Sequence, residues 1–252
     1  MKLKVKNDDI DFGTSINDIE VPPQLRKKVK TGLEFIDITL GGKGFTPSMV
    51  TLFTGTPGAG KTTMMLLMAD ALVKQGNTVV FNTAEESLHQ VKMCAERLRL
   101  RNGFLVGQET HVPTLLEKCD AIRNSRGRRN KPFMLIVDSL QCMNDGKYGM
   151  GTNSKTAERS LQLITEWCKE NWTNATIIGQ VNKGGQMAGT NKLKHMVDAM
   201  LHLDIERKDK DLEGCRVLEA YKNRFGGCGT TFFLAMNDNG FEEIARVSAH
   251  GV

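Results

Sequence analysis

The sequence has no long hydrophobic run: nowhere do about 18 consecutive apolar residues occur, the length that a membrane-spanning helix needs. The opening residues, MKLKVKNDDIDF, lack the apolar stretch of a secretory signal peptide. None of the six cysteines belongs to a CxxC pair, which argues against a zinc ribbon. We therefore expect a cytoplasmic protein with reduced thiols and no membrane partner.

Aromatic residues and excess charge are also scarce. Aromatics make up 6% of the 252 residues, so few side chains are available to stack on a nucleic-acid base. The 34 Lys and Arg against 29 Asp and Glu give a net charge of +5, which permits an anionic partner without requiring one. The 40% hydrophobic and 25% charged fractions are those of a folded protein and exclude disorder over most of the chain.

The order of apolar runs predicts an α/β fold. Residues 1–30 are polar and contain a Pro-Pro pair, which predicts an amino-terminal arm or linker before one domain over residues 31–252. From residue 31 onward, β-rich runs alternate with helical stretches, as in a mostly parallel central sheet flanked by helices. We predict strands at 49–54, 78–82, 133–137, 175–181, 199–205 and 217–221, a closing antiparallel hairpin at 230–236 and 241–247, and helices at 61–75, 87–99, 113–124 and 156–171.

Two stretches, 143–155 and 182–194, are rich in Gly, Asn and Lys and show no clear helix or strand pattern. Both follow predicted strands. Because ligands gather at the carboxyl ends of strands in open α/β sheets, we expect these stretches to form loops at the functional edge.

A phosphate-binding loop occupies residues 55–62, where GTPGAGKT fits GxxxxGK[ST] in full. It follows an apolar strand and opens an amphipathic helix, the context that this motif requires. Lys61 is expected to reach the β- and γ-phosphates of ATP, and the Thr62 hydroxyl to bind Mg²⁺. The predicted cofactors are thus ATP and Mg²⁺, and the predicted binding residues are Gly55, Thr56, Pro57, Gly58, Ala59, Gly60, Lys61, Thr62, Thr63 and Asp138.

Three further strand ends carry polar side chains suited to ATP hydrolysis. Asp138 ends an apolar strand beyond the P-loop, a position from which P-loop ATPases hold Mg²⁺. Glu85 is the predicted catalytic base and Glu86 the second candidate, although both could instead be charges at a helix amino terminus. Gln180 is predicted to sense the γ-phosphate from the tip of its strand, and a solvated strand end is the alternative.

The chain also resembles the ATPase core of the RadA/Sms family, bacterial recombination proteins related to RecA and DnaB-type ring helicases. The similarity runs in order from residue 29 to about residue 248. It is carried by KVKTGLEFIDITLGG, GTPGAGKTT, EES with Gln90 and AERL, DSLQ at 138–141, QVNK at 180–183, AG at 188–189, HMVD at 195–198 and KNRFG at 222–226. The KNRFG pentapeptide matches in full and is the most specific signal after the P-loop.

The resemblance implies a homo-oligomer, a hexameric ring or filament, with ATP between subunits and single-stranded DNA in the channel. It also implies that Lys222 and Arg224 reach the nucleotide of the neighbouring subunit, where an arginine finger stabilises the charge on the transferred phosphoryl group. The alternative is a pair of exposed basic side chains on an edge strand. The family's four-Cys zinc module and protease-like domain have no counterpart in these residues, so we expect a reduced core of the kind that a phage or mobile element encodes.

The predicted DNA-binding residues are Lys147, Tyr148, Lys155, Lys183, Lys192 and Lys194. Lysines in loops that line a ring can track phosphates without reading bases, and a tyrosine can stack on a base, whereas solvated loops are the alternative. In the arm, Phe12 is the predicted anchor on a neighbouring subunit, and a frayed terminus is equally compatible.

Three functions remain open from the sequence. The first is a DNA-dependent ATPase motor of recombination, repair or replication, acting as a ring helicase or in branch migration. The second is an ATP-switched recombinase-like or annealing accessory protein without motor activity. The third is a KaiC-like ATPase that does not act on DNA, which the KNRFG match and the lysine-bearing stretches disfavour.

Overall fold

The computed structural model describes residues 10–147, 151–180 and 190–248. The described strands are β1 Val50–Gly55, β2 Thr78–Thr83, β3 Leu105–Gly107, β4 Phe133–Asp138, β5 Asn174–Gln180, β6 Ala199–Ile205, β7 Arg216–Asn223, β8 Thr230–Asn237 and β9 Gly240–Ser248. They form one nine-stranded sheet in the order β9-β8-β7-β6-β1-β5-β4-β2-β3. Strands β1 to β6 pair in parallel, and β7, β8 and β9 extend the sheet antiparallel. The predicted fold class is confirmed.

Helices cover both faces of the parallel part of the sheet. They are α1 Pro23–Arg26, α2 Glu34–Thr39, α3 Lys61–Lys74, α4 Leu88–Arg97, α5 Val112–Arg123, α6 Ser154–Asn171 and α7 Thr190–Met196, with 3₁₀ turns at Ile16–Asp18 and Leu140–Cys142. One apolar cluster joins the sheet to α2, α3 and α4, and a second joins it to α5, α6 and α7. All six residues of β1 are buried because helices pack on both of its faces.

Strand register brings four strand ends to one edge of the sheet. Gly55 at the end of β1 pairs with Gln180 at the end of β5, and Thr83 at the end of β2 pairs with Asp138 at the end of β4. The P-loop and the polar residues that follow these strands therefore meet at the same carboxyl edge.

The predicted strands and helices are all present, with ends that differ by a residue or two. The loop prediction is wrong at the carboxyl end of each unassigned stretch. Lys192 and Lys194 lie on α7, and Lys155 lies in the first turn of α6. That helix begins early because Asn153 caps it: the Asn153 Oδ1 atom accepts a hydrogen bond from the Thr156 amide at 3.0 Å. The short strand β3 was not predicted either.

The described part of the arm, from residue 10, carries exposed apolar side chains, and the chain joins the domain near residue 29. Ile10, Phe12 and Ile16 are exposed. Val29 is buried and forms a β-bridge with Phe45, so the chain is tied to the domain at this point. The boundary at residue 30 and the anchoring role of Phe12 stay predictions. Within the described ranges, no helix has the length and apolar character that a membrane crossing requires.

Candidate active site

Glycine is required at the last residue of β1 and again in the loop between β1 and α3. Gly60 adopts φ +100°, in the left-handed region, and a Cβ atom there would lie 2.9 Å from Cζ of Phe241 and 3.1 Å from Sδ of Met236. A Cβ on Gly55 would lie 2.2 Å from the Leu203 carbonyl oxygen on β6. The loop is therefore packed against β6 and the β8–β9 hairpin, which fixes the direction in which its amides point.

Lys61 is the first residue of α3, and its side chain folds back over the loop. Its Nζ atom donates hydrogen bonds to the carbonyl oxygens of Gly55 at 2.9 Å and Thr56 at 3.1 Å. Burial lowers the pKa of Lys61, and the carboxylates of Asp138 and Glu85 partly oppose this effect. The Lys61 ammonium group is thus close enough to both carboxylates for their charges to act on it.

Thr62 and Asp138 form an oxygen pair suited to a magnesium ion. The Thr62 hydroxyl donates to Asp138 Oδ2 at 2.6 Å. Burial raises the pKa of Asp138 to about 6; the hydrogen bond from Thr62 opposes this shift, and the charges of Glu85 and Glu86 add to it. A divalent cation would stabilise the charged form of this buried carboxylate. Mg²⁺ prefers oxygen ligands, and the carboxylate and the neighbouring hydroxyl both supply them. These residues fit the predicted ion.

Glu85 is held by side chains from two other strand ends. Its Oε1 atom accepts a hydrogen bond from the Ser139 hydroxyl at 2.7 Å and another from Nε2 of Gln180. The Cys142 thiol lies 3.7 Å from the same oxygen. Side chains that follow β4 or end β5 thus converge on one oxygen of a carboxylate that follows β2.

Glu86 has a different environment. Its amide and carbonyl both bond the Thr83 hydroxyl, at 3.0 Å and 2.8 Å. The capping residue of α4 is Ser87, and the first turn of that fully described helix contains no acidic residue. The two glutamates therefore directly precede the capping residue rather than lying in the first turn, and the choice between catalytic base and helix-terminal charge stays a prediction.

A cleft of about 360 Å³ opens at this edge of the sheet. Its lining combines P-loop residues with the acids and the amide described above: Pro57, Gly58, Gly60, Lys61, Thr62, Thr63, Glu85, Asp138, Ile178 and Gln180. The structure thus brings most of the predicted catalytic and cofactor-binding residues together. Among the described residues that line the cleft, Glu85 is present and Glu86 is not.

Two supports of the P-loop were missed by sequence reasoning. The Thr56 hydroxyl donates to Asp204 Oδ1 at 2.8 Å, and Arg216 Nε donates to the Ala59 carbonyl at 3.2 Å. Asp204 carried a usable signal, since it is an acid near the carboxyl end of a buried strand. Arg216 carried none, because its role depends on β7 pairing beside β6. For Ser139, the only sequence signal was its position directly after Asp138.

Lys222 and Arg224 are not among the residues that line the cleft, and they lie near the carboxyl end of α7. Lys222 Nζ donates to the carbonyl oxygens of Lys194 at 2.6 Å and Val197 at 2.7 Å. Arg224 is half-exposed and pairs with Asp198 at 3.4 Å. Burial, followed by the charge of Arg224, lowers the pKa of Lys222.

The predicted DNA-binding residues occupy varied positions. Lys192 on α7 pairs with Glu158 on α6 at 3.4 Å, so α6 and α7 place Lys155 and Lys192 on neighbouring helices. The Lys147 amide lies 3.4 Å from Asp145 Oδ1, and Lys194 is half-buried. Tyr148 and Lys183 lie outside the described residues.

The chain is similar in sequence to an ATPase family and to DNA repair proteins. The family model "ATPase: KaiC" matches residues 29–101, which include the P-loop and Glu85. The DNA repair protein RadA of Aquifex aeolicus is 34% identical over 221 residues, covering 87% of this chain and 47% of that protein. The protein of the same name from Listeria monocytogenes is 32% identical over 232 residues, covering 91% of this chain and 48% of that protein. The chain spans about half the length of the curated relatives it matches.

Solved structures support the fold. A structure described as an ATPase domain matches with a TM-score of 0.73 at 14% identity, covering 86% of this chain and 92% of that one. A DnaB-like replicative helicase, solved in a study of its interactions with primase, matches with a TM-score of 0.72, also at 14% identity, covering 85% of this chain and 61% of that one. The solved structures show the fold alone, and the similarity to RadA over most of this chain is what supports a RadA-like ATPase core with a RecA-type fold.

Proposed function

We propose that this core is a DNA-dependent ATPase that binds single-stranded DNA and works as a ring helicase or branch-migration motor in recombination, repair or replication. The observation that carries the proposal is the cleft in which Lys61, Thr62, Asp138, Glu85 and Gln180 meet. This set supplies a phosphate cradle, oxygen ligands for a metal ion, a base and a neutral amide within one site.

Each residue has a defined task in hydrolysis. The P-loop amides and Lys61 bind the phosphates of ATP, while Thr62 and Asp138 hold Mg²⁺. When bound, Mg²⁺ neutralises charge on the phosphate oxygens. Glu85 orients the attacking water and accepts its proton as the water oxygen bonds to the γ-phosphorus and the bond to the ADP oxygen breaks, which leaves ADP and inorganic phosphate.

Gln180 is proposed as the γ-phosphate sensor. Its amide bonds Glu85, and residue 180 is followed directly by the segment that leads to α7. Hydrolysis of ATP would change the hydrogen-bond partner of the Gln180 amide. Because the segment that follows residue 180 leads to α7, this change would alter the position of α7.

Lys222 and Arg224 are proposed to act on the nucleotide of the next subunit in a hexameric ring or filament. Their location near α7, outside the cleft of their own subunit, supports a role in trans. A guanidinium supplied by a neighbour is worth roughly 10³–10⁵ in rate and makes hydrolysis depend on assembly.

The DNA partner is proposed from the relatives' name, DNA repair protein, and from the lysines that α6 and α7 carry. Lys155 and Lys192 lie on neighbouring helices, and phosphate contacts by such residues would give salt-dependent, sequence-independent binding. Lys147, Lys194, Tyr148 and Lys183 complete the proposed set.

A KaiC-like ATPase that does not act on DNA is the second candidate, because the KaiC family model covers the P-loop region. The RadA similarity disfavours it, since that similarity extends over 87% of the chain.

The decisive experiment measures ATP turnover with and without single-stranded DNA, at 50 and 200 mM salt, with Lys61→Ala as the inactive control. We expect DNA to raise turnover at low salt and the stimulation to weaken at high salt. A parallel strand-separation assay distinguishes a motor from an ATP-switched accessory protein. Turnover that is indifferent to DNA at both salt concentrations would favour the KaiC-like function.

A further inference from the structure

Ser139 follows β4 directly, and its hydroxyl bonds a side chain that follows another strand instead of capping the turn that it precedes. It occupies the N-cap position of the 3₁₀ turn Leu140–Cys142, where a serine oxygen normally accepts a hydrogen bond from a backbone amide. In this fully described turn the side chain makes no capping bond. The hydroxyl instead donates to Glu85 Oε1 at 2.7 Å.

The donors that reach Glu85 differ in how firmly they are held. Ser139 is completely buried, and the next residue, Leu140, is buried as well. Gln180 is exposed at the tip of β5. Ser139 is therefore the rigid partner, and its hydrogen bond to a carboxylate belongs to the strong, charge-assisted class.

Only one oxygen of Glu85 is engaged by the described residues. Ser139, Gln180 and Cys142 all approach Oε1, and no donor among the described residues reaches Oε2. A glutamate side chain is flexible, and a base that is misplaced by about 1 Å can lose roughly 10²-fold in rate. Fixing Oε1 restricts the carboxylate while Oε2 stays available to accept a proton.

We propose that Ser139 is a positioning residue for the catalytic base: its buried hydroxyl fixes Oε1 of Glu85 and leaves Oε2 for the attacking water. The inference rests on the proposed role of Glu85 in hydrolysis. It assigns to the residue after the metal-binding aspartate a task separate from metal binding.

The test compares Ser139→Ala with Ser160→Ala in the full chain, with ATP, Mg²⁺ and single-stranded DNA. Ser160 is also completely buried, and its hydroxyl has no hydrogen-bond partner among the described residues, so it controls for loss of a buried serine oxygen. We expect kcat of Ser139→Ala to fall about 10- to 100-fold. The KM for ATP, the half-saturating Mg²⁺ concentration and the Tm should stay near the wild-type values, and Ser160→Ala should match the wild type throughout.

Ser139→Cys gives a second variant of similar size with a weaker donor, and its kcat should lie between the serine and alanine values. A double-mutant cycle then tests the route of the effect. Adding Ser139→Ala to Glu85→Gln should cause no further loss, because the hydroxyl acts through the carboxylate that Glu85→Gln has already removed.

Three results would contradict the positioning role: an unchanged kcat in Ser139→Ala, a shifted Mg²⁺ requirement, or losses that multiply in the double variant. Failure of the underlying function has a different signature. If Glu85→Gln itself turns over ATP at the wild-type rate, Glu85 is not the base, whatever Ser139 does.

Discussion

The buried carboxylate of Asp138 should make the free protein less stable at neutral pH than a variant that lacks the charge. Burial raises its pKa from 3.8 to about 6, so the folded protein binds this proton more tightly than the unfolded chain does. The resulting stabilisation is fully present below about pH 4 and is lost as the pH rises through about 6. Asp138→Asn, which stays neutral, should escape this loss.

The shift in pKa of Asp138 sets the size of the effect. Each pKa unit is worth about 1.4 kcal/mol. The shift in pKa from 3.8 to about 6 therefore lowers the free energy of unfolding above pH 7 by about 3 kcal/mol relative to low pH. For a chain of this size, each kcal/mol moves the Tm by about 2–4 °C. We therefore expect Asp138→Asn to melt several degrees above the wild type at pH 7.5, and the difference to shrink as the pH approaches 4. The Thr62 hydroxyl retains an acceptor, because the amide oxygen of Asn can replace the carboxylate oxygen.

Thermal unfolding at pH 5 and 7.5, without nucleotide or metal, measures the difference. Asp238→Asn at the exposed tip of the β8–β9 hairpin is the matched control, and it should change the Tm little at either pH. The same Asp138→Asn protein should fail to hydrolyse ATP, because it lacks the proposed metal ligand. An Asn variant that is less stable than the wild type at pH 7.5, or whose advantage does not depend on pH, would refute the reasoning.

Two further predictions concern nucleotide and DNA. Lys61→Ala should lose ATP hydrolysis because the phosphates lose their ammonium partner, and steady-state turnover at the wild-type level would overturn the assignment of the cleft. Replacing Lys155 and Lys192 with Gln should weaken single-stranded DNA binding and flatten the slope of log affinity against log salt by roughly one or two units, as titrations at several salt concentrations can show. An unchanged slope would place the DNA site elsewhere.

The sequence was sufficient to predict the P-loop and the strand ends around it. Gly58 and Gly60 have positive φ angles and so report local backbone geometry, which is why the motif predicts its own structure, whereas Gly55 is required by the close approach of β6. Asp138, Glu85 and Gln180 could be grouped because parallel strands end at one edge. The inference needed only the strands' direction and not their order.

Contacts that depend on strand order could not be predicted. Asp204 and Arg216 support the P-loop only because β6 pairs with β1 and β7 pairs with β6. The bond from Ser139 to Glu85 likewise requires β4 beside β2. Helix α7 was missed for a different reason: it has seven residues, too few for intrinsic helix stability, and it relies on packing of buried Leu193.

The proposed dependence of hydrolysis on a neighbouring subunit is tested most directly by mixing two inactive variants. Lys61→Ala lacks the proposed phosphate contact but keeps Arg224, whereas Arg224→Ala keeps an intact cleft. We expect each alone to be slow and the mixture to regain turnover, with light scattering confirming mixed assemblies, because some interfaces then combine an intact cleft with an intact Arg224. A mixture no faster than its components, or full wild-type turnover from a protein that stays monomeric, would contradict the account.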